Sequence, residues 1–145
     1  MGFLAWFKKN PQTDDSTGSQ LDLLGASQEL TNRKRVDGIT VRKKFTGAIV
    51  EKGGDDDAIA NSTEQMTREV LGTSTKNLYK ETGAKRHKRD TLPSVAQEAL
   101  MTGEIVATHD LQHSEEFDGT QEQVNQQIES KVRKSSKKVR KLFPW

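Results

Sequence analysis

The sequence predicts an all-α protein: a small domain of about four to five helices, a disordered N-terminal segment and a long basic amphipathic helix at the C-terminus. Apolar residues recur at three- and four-residue spacing, capping residues and glycines separate these segments, and no useful stretch alternates as a β-strand does. We therefore divide the chain into a flexible segment with a short amphipathic start at 1–32, a helical domain at 33–119, and the final helix at 120–145.

Composition limits both the core and the class of protein. Only 31% of the 145 residues are hydrophobic and the mean hydropathy is −0.84, which predicts a modest core and a linker in the polar stretch 10–20. The chain has no cysteine, so disulfides and thiolate metal sites are excluded. No apolar stretch approaches the ~20 residues of a membrane span, and the N-terminal apolar run is too short for a signal peptide. We therefore expect a cytoplasmic protein.

Helix boundaries are predicted by capping residues and glycines. We expect the first clear helix to begin at Thr40, with the threonine hydroxyl as its cap. Ser94 with Gln97, and Thr120 with Gln123, have the spacing of a capping box, which predicts where the last two long helices begin. The remaining boundary signals, in chain order, are Gly53-Gly54, Asp55-Asp56-Asp57, Gly72, Thr73-Ser74-Thr75, Gly83 and Pro93.

The final helix is the clearest element in the sequence. At ~100° per residue its apolar stripe falls within an arc of roughly 80°, and seven basic residues fall outside that arc. A stripe this narrow suits a seam between helices, so we predict that it binds a protein partner or a second copy of the chain. The candidate partner-binding residues are Val124, Ile128, Val132, Val139 and Leu142.

Basic residues occur in four clusters that alternate with acidic blocks, although the net charge is only +2. Lysine and arginine contacts with phosphates release counterions and give affinity without base readout. The clusters therefore predict nucleic-acid binding; the alternative is a solvated helix face that pairs with the acidic blocks. The candidate nucleic-acid-binding residues are Arg33, Lys34, Arg35, Arg42, Lys43, Lys44, Lys85, Arg86, Lys88, Lys131, Arg133, Lys134, Lys137, Lys138, Arg140 and Lys141.

The chain contains histidine, acidic and hydroxyl side chains, but not at the spacings that metal binding or catalysis requires. His109 and His113 would share one face of a helix, but no third metal ligand is fixed, and we interpret them as surface histidines. Asp55-Asp56-Asp57 lacks the alternating carboxylates of a calcium loop and is interpreted as a helix cap. No nucleophile has a recognisable histidine and carboxylate arrangement, and there is no phosphate-binding glycine loop. We predict no catalytic residues, no metal, no cofactor and no enzymatic activity.

The two ends of the chain combine aromatic and basic residues. Phe3, Trp6 and Phe7 precede two lysines, and Phe143 and Trp145 follow the basic helix. This combination favours a membrane surface as a further partner, since aromatic and cationic side chains suit the bilayer interface. The alternative is that both ends pack on the body of the protein or on a partner.

The middle of the chain resembles the C-terminal region of BRO-type prophage antirepressors, including the DNA-damage-inducible protein D group, over about residues 33–135. The motifs that carry the resemblance are Arg42-Lys43-Lys44-Phe45-Thr46, Ala58-Ile59-Ala60-Asn61, Gly72-Thr73-Ser74-Thr75-Lys76, Leu78-Tyr79-Lys80, Gly83, Arg89-Asp90 and Gly103-Glu104. The chain departs from the family pattern at Ile49, where the family has tryptophan, and its second helix is about two residues longer.

The resemblance implies a helical accessory domain in a phage- or plasmid-related context. The family's N-terminal BRO domain, which carries the DNA-binding role, is expected to be absent, so the resemblance does not transfer DNA binding. Arg89 and Asp90 are interpreted as structural: Asp90 braces the following helix while Arg89 reaches an acidic neighbour. The expected function is thus a non-enzymatic accessory or regulatory protein that contacts nucleic acid, or a DNA-bound partner, through basic faces. An adaptor that uses the C-terminal stripe and a membrane-surface protein are the alternatives.

Overall fold

The computed structural model describes residues 2–10 and 26–145, with side chains described for 2–10 and 37–145. All regular secondary structure in these residues is helical, which confirms the predicted fold class. The α-helices are α1 (Phe3–Lys9), α2 (Ala26–Glu51), α3 (Asp56–Leu71), α4 (Thr75–Thr82), α5 (Ser94–Gln112) and α6 (Gln121–Arg140), with a 3₁₀ turn at Arg89–Thr91. None of the helices described is long and apolar enough to cross a membrane.

The short boundary signals in the middle of the chain act as predicted. Asp55 caps α3 by accepting a hydrogen bond from the amide of Ala58 at 3.1 Å, and Ser74 caps α4. Gly72 and Gly83 end these two helices in the left-handed conformation, with φ of 71° and 74°. Glycine adopts this conformation without steric cost, so the sequence fixes both ends.

The predicted capping box at the start of α6 is confirmed. The hydroxyl of Thr120 accepts from the amide of Gln123 at 3.2 Å, and the Gln123 side chain accepts from the amide of Thr120 at 2.9 Å. Two amides at the start of the helix are thereby satisfied by side chains.

One predicted helix start, at Thr40, and one predicted capping box, at Ser94 and Gln97, are wrong. Thr40 does not cap a helix, because α2 begins at Ala26 and runs through Thr40, so the predicted domain boundary at 32/33 also falls inside a helix. Ser94 is the first residue of α5 and not its cap, which is Pro93. Gln97 donates instead to the carbonyls of Asp90 and Leu92, at 3.2 and 2.7 Å, and so joins α5 to the preceding 3₁₀ turn.

The core lies where α3, α5 and α6 meet, and α2 covers the other side of α5. Gly103 on α5 permits a close approach to α3, since a Cβ there would lie 3.0 Å from the sulfur of Met66. Met66, Val70 and Leu111 are buried in this core. The final helix contributes to the same core and is not a separate unit.

The apolar stripe of α6 faces the protein's own core, which corrects the prediction of a partner-binding surface. Val124 is 9% exposed, Val139 is 1%, and Ile128 and Val132 are fully buried. Leu142 lies beyond the end of the helix and is 71% exposed. The amphipathic pattern was interpreted correctly as one buried face, but the covering surface belongs to α3 and α5 of the same chain.

The two ends of the chain meet in a terminal aromatic cluster, formed by Phe3, Trp6, Phe143 and Trp145. The ring of Trp145 lies 5.0 Å from Phe3, 5.3 Å from Trp6 and 5.0 Å from Phe143 between centroids. Its indole nitrogen donates to the carbonyl of Val70 on α3 at 2.6 Å. Both ends therefore pack on the body of the protein. Contact with a membrane surface stays a prediction, and the packing leaves fewer aromatic side chains exposed for such contact. Residues 11–20 of the predicted linker lie outside the described part of the chain.

Changing Val132 to Asp should lower the free energy of unfolding by at least about 4 kcal/mol, because an unpaired carboxylate would be forced into the core. Arg133→Asp, on the exposed side of the same helical turn, should cost under about 1 kcal/mol. Urea denaturation followed by circular dichroism measures both variants. Equal stability of the two would show that the stripe is not in the core.

Trp145→Ala should lower the free energy of unfolding by about 3 kcal/mol, because it removes three ring contacts and the hydrogen bond to Val70. Leu142→Ala is the matched control near the same end, and should change stability by under about 0.5 kcal/mol. The same denaturation measurement applies. A Trp145 variant as stable as the Leu142 variant would contradict the packing described here.

Candidate nucleic-acid interface

The outer face of α6 carries cations that the fold leaves in solvent. Arg133, Lys134, Lys137 and Lys141 are exposed, and among the described side chains none has a carboxylate within ion-pair distance. They cluster on this face because the apolar stripe of the same helix is turned toward α3 and α5. At 1.5 Å per residue the four cations extend over about 12 Å of the helix axis. We call this set the α6 basic face.

The remaining cations of α6 lie at the edge of this face. Lys138 pairs with Asp110 on α5 at 3.2 Å, and the hydroxyl of Ser135 donates to the same carboxylate at 2.5 Å. Burial raises the pKa of Asp110, but the hydrogen bonds from Ser135 and Lys138 outweigh this and hold the pKa below its usual value. Lys131 and Arg140 are half-buried. Lys138 therefore also fastens α6 to α5.

A second group of cations surrounds a buried carboxylate. Glu104 on α5 is 1% exposed, and its two oxygens bind Arg89 at 2.9 Å and Arg42 at 3.0 Å. Both arginine side chains are 32% exposed. The guanidinium of Arg42 also lies 5.6 Å from the ring centre of Phe45. We call Arg42, Arg89 and Glu104 the ion-pair cluster; it joins α2, the 3₁₀ turn and α5.

The basic loop before α5 is folded so that Arg89 reaches this cluster. The hydroxyl of Thr91 donates to the carbonyl of Lys88 at 2.5 Å and accepts from the amide of Lys85 at 2.9 Å, which closes the loop. His87 has a φ of 65°, a left-handed conformation that turns the chain sharply. Leu92 is buried and fixes the end of the loop on the core. The expectation that Arg89 reaches an acidic neighbour is confirmed, and the neighbour is Glu104.

A cleft of about 680 Å³ opens beside the ion-pair cluster. Its lining includes cationic side chains from α2 and from the basic loop, and apolar surface comes from Ile39 and Met101. The lining residues are Gly38, Ile39, Arg42, Lys43, His87, Lys88, Arg89, Asp90, Gln97, Met101 and Glu104. With four cations and two carboxylates, the lining has a formal charge of +2 when His87 is neutral.

The structure therefore brings together only some of the predicted nucleic-acid-binding residues. Arg42, Lys43 and Lys88 meet at the cleft, whereas Lys44, Lys85 and Arg86 are exposed outside its lining. The side chains of Arg33, Lys34 and Arg35 lie outside the described ones, although their backbone belongs to α2.

The cleft and the α6 basic face lie on different sides of α5. Glu104 faces the cleft and Asp110 faces α6, and six residues at ~100° each place them about 120° apart around the helix. The basic clusters of the sequence therefore form two separate surfaces in the described part of the chain.

His109 and His113 contact each other, and Asp55 of the acidic run caps a helix. His109 and His113 stack at 4.2 Å between ring centroids near the end of α5, and both are exposed. Among the described residues, no group of three or more histidine, cysteine or acidic side chains is arranged to hold a metal ion.

Asp55 caps α3 and accepts a second hydrogen bond from Asn125 at 2.8 Å. The hydrogen bond from the amide of Ala58 lowers the pKa of Asp55 most. Burial raises this pKa, but by less than the hydrogen bonds lower it, so the pKa lies below its usual value.

Sequence reasoning did not identify Glu104 as a site residue. A single glutamate on a helix has the same pattern whether it is exposed or buried, and only packing decides which. The two residues of the motif Gly103-Glu104 have distinct roles in the fold. Gly103 lets α5 approach α3, while Glu104 gathers the two arginines on the neighbouring side of the helix.

No protein-family model and no curated protein matches this chain.

Glu104→Gln should lower the free energy of unfolding by about 3 kcal/mol, because a neutral amide presents donors to two guanidinium groups that are themselves donors. Glu115→Gln is the matched control on an exposed side chain and should cost under about 0.5 kcal/mol. Urea denaturation measures both. If the two substitutions cost the same, Glu104 does not hold the arginines.

Proposed function

We propose that this protein is a non-enzymatic accessory or regulatory protein of phage or plasmid type, which acts in the cytoplasm and contacts nucleic acid or a DNA-bound partner. The observation that carries the proposal is the α6 basic face. Four cations without ion-pair partners among the described residues lie on one side of a helix whose opposite side is anchored in the core. A rigid row of positive charge of this kind suits the phosphate backbone.

The rigidity of the row supports phosphate contact over a solvated face. The ion pair of Lys138 with Asp110 and the buried stripe fix the rotation of α6, so Lys134, Lys137 and Lys141 project together. The fixed helix presents these lysines on one side, while each exposed side chain still loses rotamer freedom when it contacts a phosphate. Contacts of this type position a protein on nucleic acid without selecting a base sequence.

The resemblance to BRO-type antirepressor C-terminal regions supports the phage or plasmid context. Arg42, Arg89 and Glu104 belong to three separate motifs of that resemblance and meet in the ion-pair cluster. The cluster gives these three motifs a common structural role in this chain, and the nucleic-acid contact is proposed for the α6 basic face.

The affinity for duplex DNA should fall steeply with salt. With four phosphate contacts, the slope of about −0.9 per contact gives a loss of about 10²-fold between 50 and 200 mM salt. The variant Lys134→Ala, Lys137→Ala and Lys141→Ala should bind at least about tenfold more weakly at 50 mM and show a slope that is smaller by about 2–3. Fluorescence anisotropy with a labelled duplex measures both quantities.

The matched control is Lys9→Ala, Lys76→Ala and Lys80→Ala, which removes the same charge from exposed positions on α1 and α4. Its affinity should stay within about twofold of the parent. No binding by the parent protein at 50 mM salt, or an affinity that is flat up to 200 mM, would overturn the proposal. Equal weakening in both variants would exclude the α6 basic face as the contact.

A further inference from the structure

We propose that the cleft between α2, the basic loop and α5 binds a nucleotide phosphate, with the base against its apolar wall. This site is distinct from the α6 basic face, since the two lie on different sides of α5. The proposal therefore goes beyond phosphate-backbone contact by α6 and does not depend on it.

The floor of the cleft is a preorganised pair of guanidinium groups. The two oxygens of Glu104 each bind one arginine, at 2.9 and 3.0 Å, so one buried carboxylate holds both guanidinium groups. A guanidinium carries five N–H donors, and the contact with Glu104 leaves most of them for another acceptor. Arginine forks of this kind match phosphate oxygens in a bidentate way.

Two lysines at the edges add charge without a partner of their own. Lys43 from α2 and Lys88 from the basic loop are exposed, and no described carboxylate lies within ion-pair distance of either. The lining keeps a formal charge of +2 after its two carboxylates are counted. The positive charge of the lining therefore favours an anionic ligand, and a phosphate monoester with two negative charges would neutralise it.

The apolar wall distinguishes a nucleotide from a simple anion. Ile39 is 49% exposed and shares the lining with Met101, next to the two arginines. Small-molecule sites typically combine apolar surface with a few placed charged groups, and here the apolar surface would contact the base while the arginines bind the phosphate. The volume of about 680 Å³ is also within the range of small-molecule sites.

The ligand chemistry has two sources, a free mononucleotide or the 5′-phosphorylated end of a single strand, and both present a terminal phosphate beside one base. Calorimetric titration at ~150 mM salt with deoxyadenosine monophosphate, inorganic phosphate and deoxyadenosine tests the shared chemistry. We expect the nucleotide to bind at least about tenfold more tightly than either fragment. No binding of the nucleotide at millimolar concentration overturns the proposal, and so does equal binding of inorganic phosphate.

A short oligo-deoxyadenosine, with and without a 5′-phosphate, separates the two sources when it is titrated into the triple alanine variant of the α6 basic face, which removes backbone contact by that face. Tighter binding of the phosphorylated strand than of the mononucleotide identifies the strand end as the ligand, and weaker binding identifies the free nucleotide. Equal binding of the phosphorylated and unphosphorylated strands, at or above the affinity of the mononucleotide, overturns the terminal-phosphate site.

Variants locate the site without disturbing the ion-pair cluster. Lys43→Ala with Lys88→Ala should weaken nucleotide binding at least about tenfold. Lys44→Ala with Lys85→Ala removes the same charge from exposed residues next to the cleft but outside its lining, and should leave binding within about twofold. The triple alanine variant of the α6 basic face should bind the nucleotide as the parent does. Equal weakening by the two lysine pairs would show a general charge effect and overturn the assignment to the cleft.

Discussion

The buried carboxylate of Glu104 is the constraint around which one side of the molecule is arranged. It joins α2, the 3₁₀ turn and α5 through Arg42, which lies 62 residues before it in the chain, and through Arg89 in the loop that precedes α5. A carboxylate with 1% exposure is tolerated in a protein interior only when charged partners replace water. The two arginines satisfy that condition, and in doing so they bring α2 and the basic loop together in the lining of one cleft.

The other side of the molecule depends on the two faces of α6. Its apolar stripe is buried against α3 and α5, so its basic residues are held outward in a fixed orientation. Stability and the proposed phosphate contact therefore have the same origin in the sequence pattern. The ion pair between Lys138 and Asp110 and the bond from Ser135 add a polar connection at the edge of that interface.

The terminal aromatic cluster closes the fold at the end of α3. Trp145 meets α1 through Phe3 and Trp6 and is bonded to the carbonyl of Val70, so both ends of the chain are tied to one helix end. Aromatic residues at a chain terminus have the same sequence pattern whether they enter a membrane or pack internally. The amphipathic nature of indole permits both, and in this fold the indole nitrogen of Trp145 donates to the buried carbonyl of Val70.

Local signals in the sequence determined the helical class, the ends of α3 and α4 at Gly72 and Gly83, the caps at Asp55 and Thr120, and the buried stripe of α6. These features depend on interactions within a few residues, which a single sequence displays. The spacing of Ser94 and Gln97 predicts a capping box, but the Gln97 side chain donates to the carbonyls of Asp90 and Leu92, which lie outside that local pattern.

Only the tertiary structure decided which surface covers the α6 stripe, that Glu104 is buried, and that Arg42, Lys43, Lys88 and Arg89 share one cleft. The basic clusters were visible as charge, but charge alone does not show which cations are paired and which are free. That distinction depends on the approach of helices remote in sequence, and their packing is set by side-chain shape across the whole core.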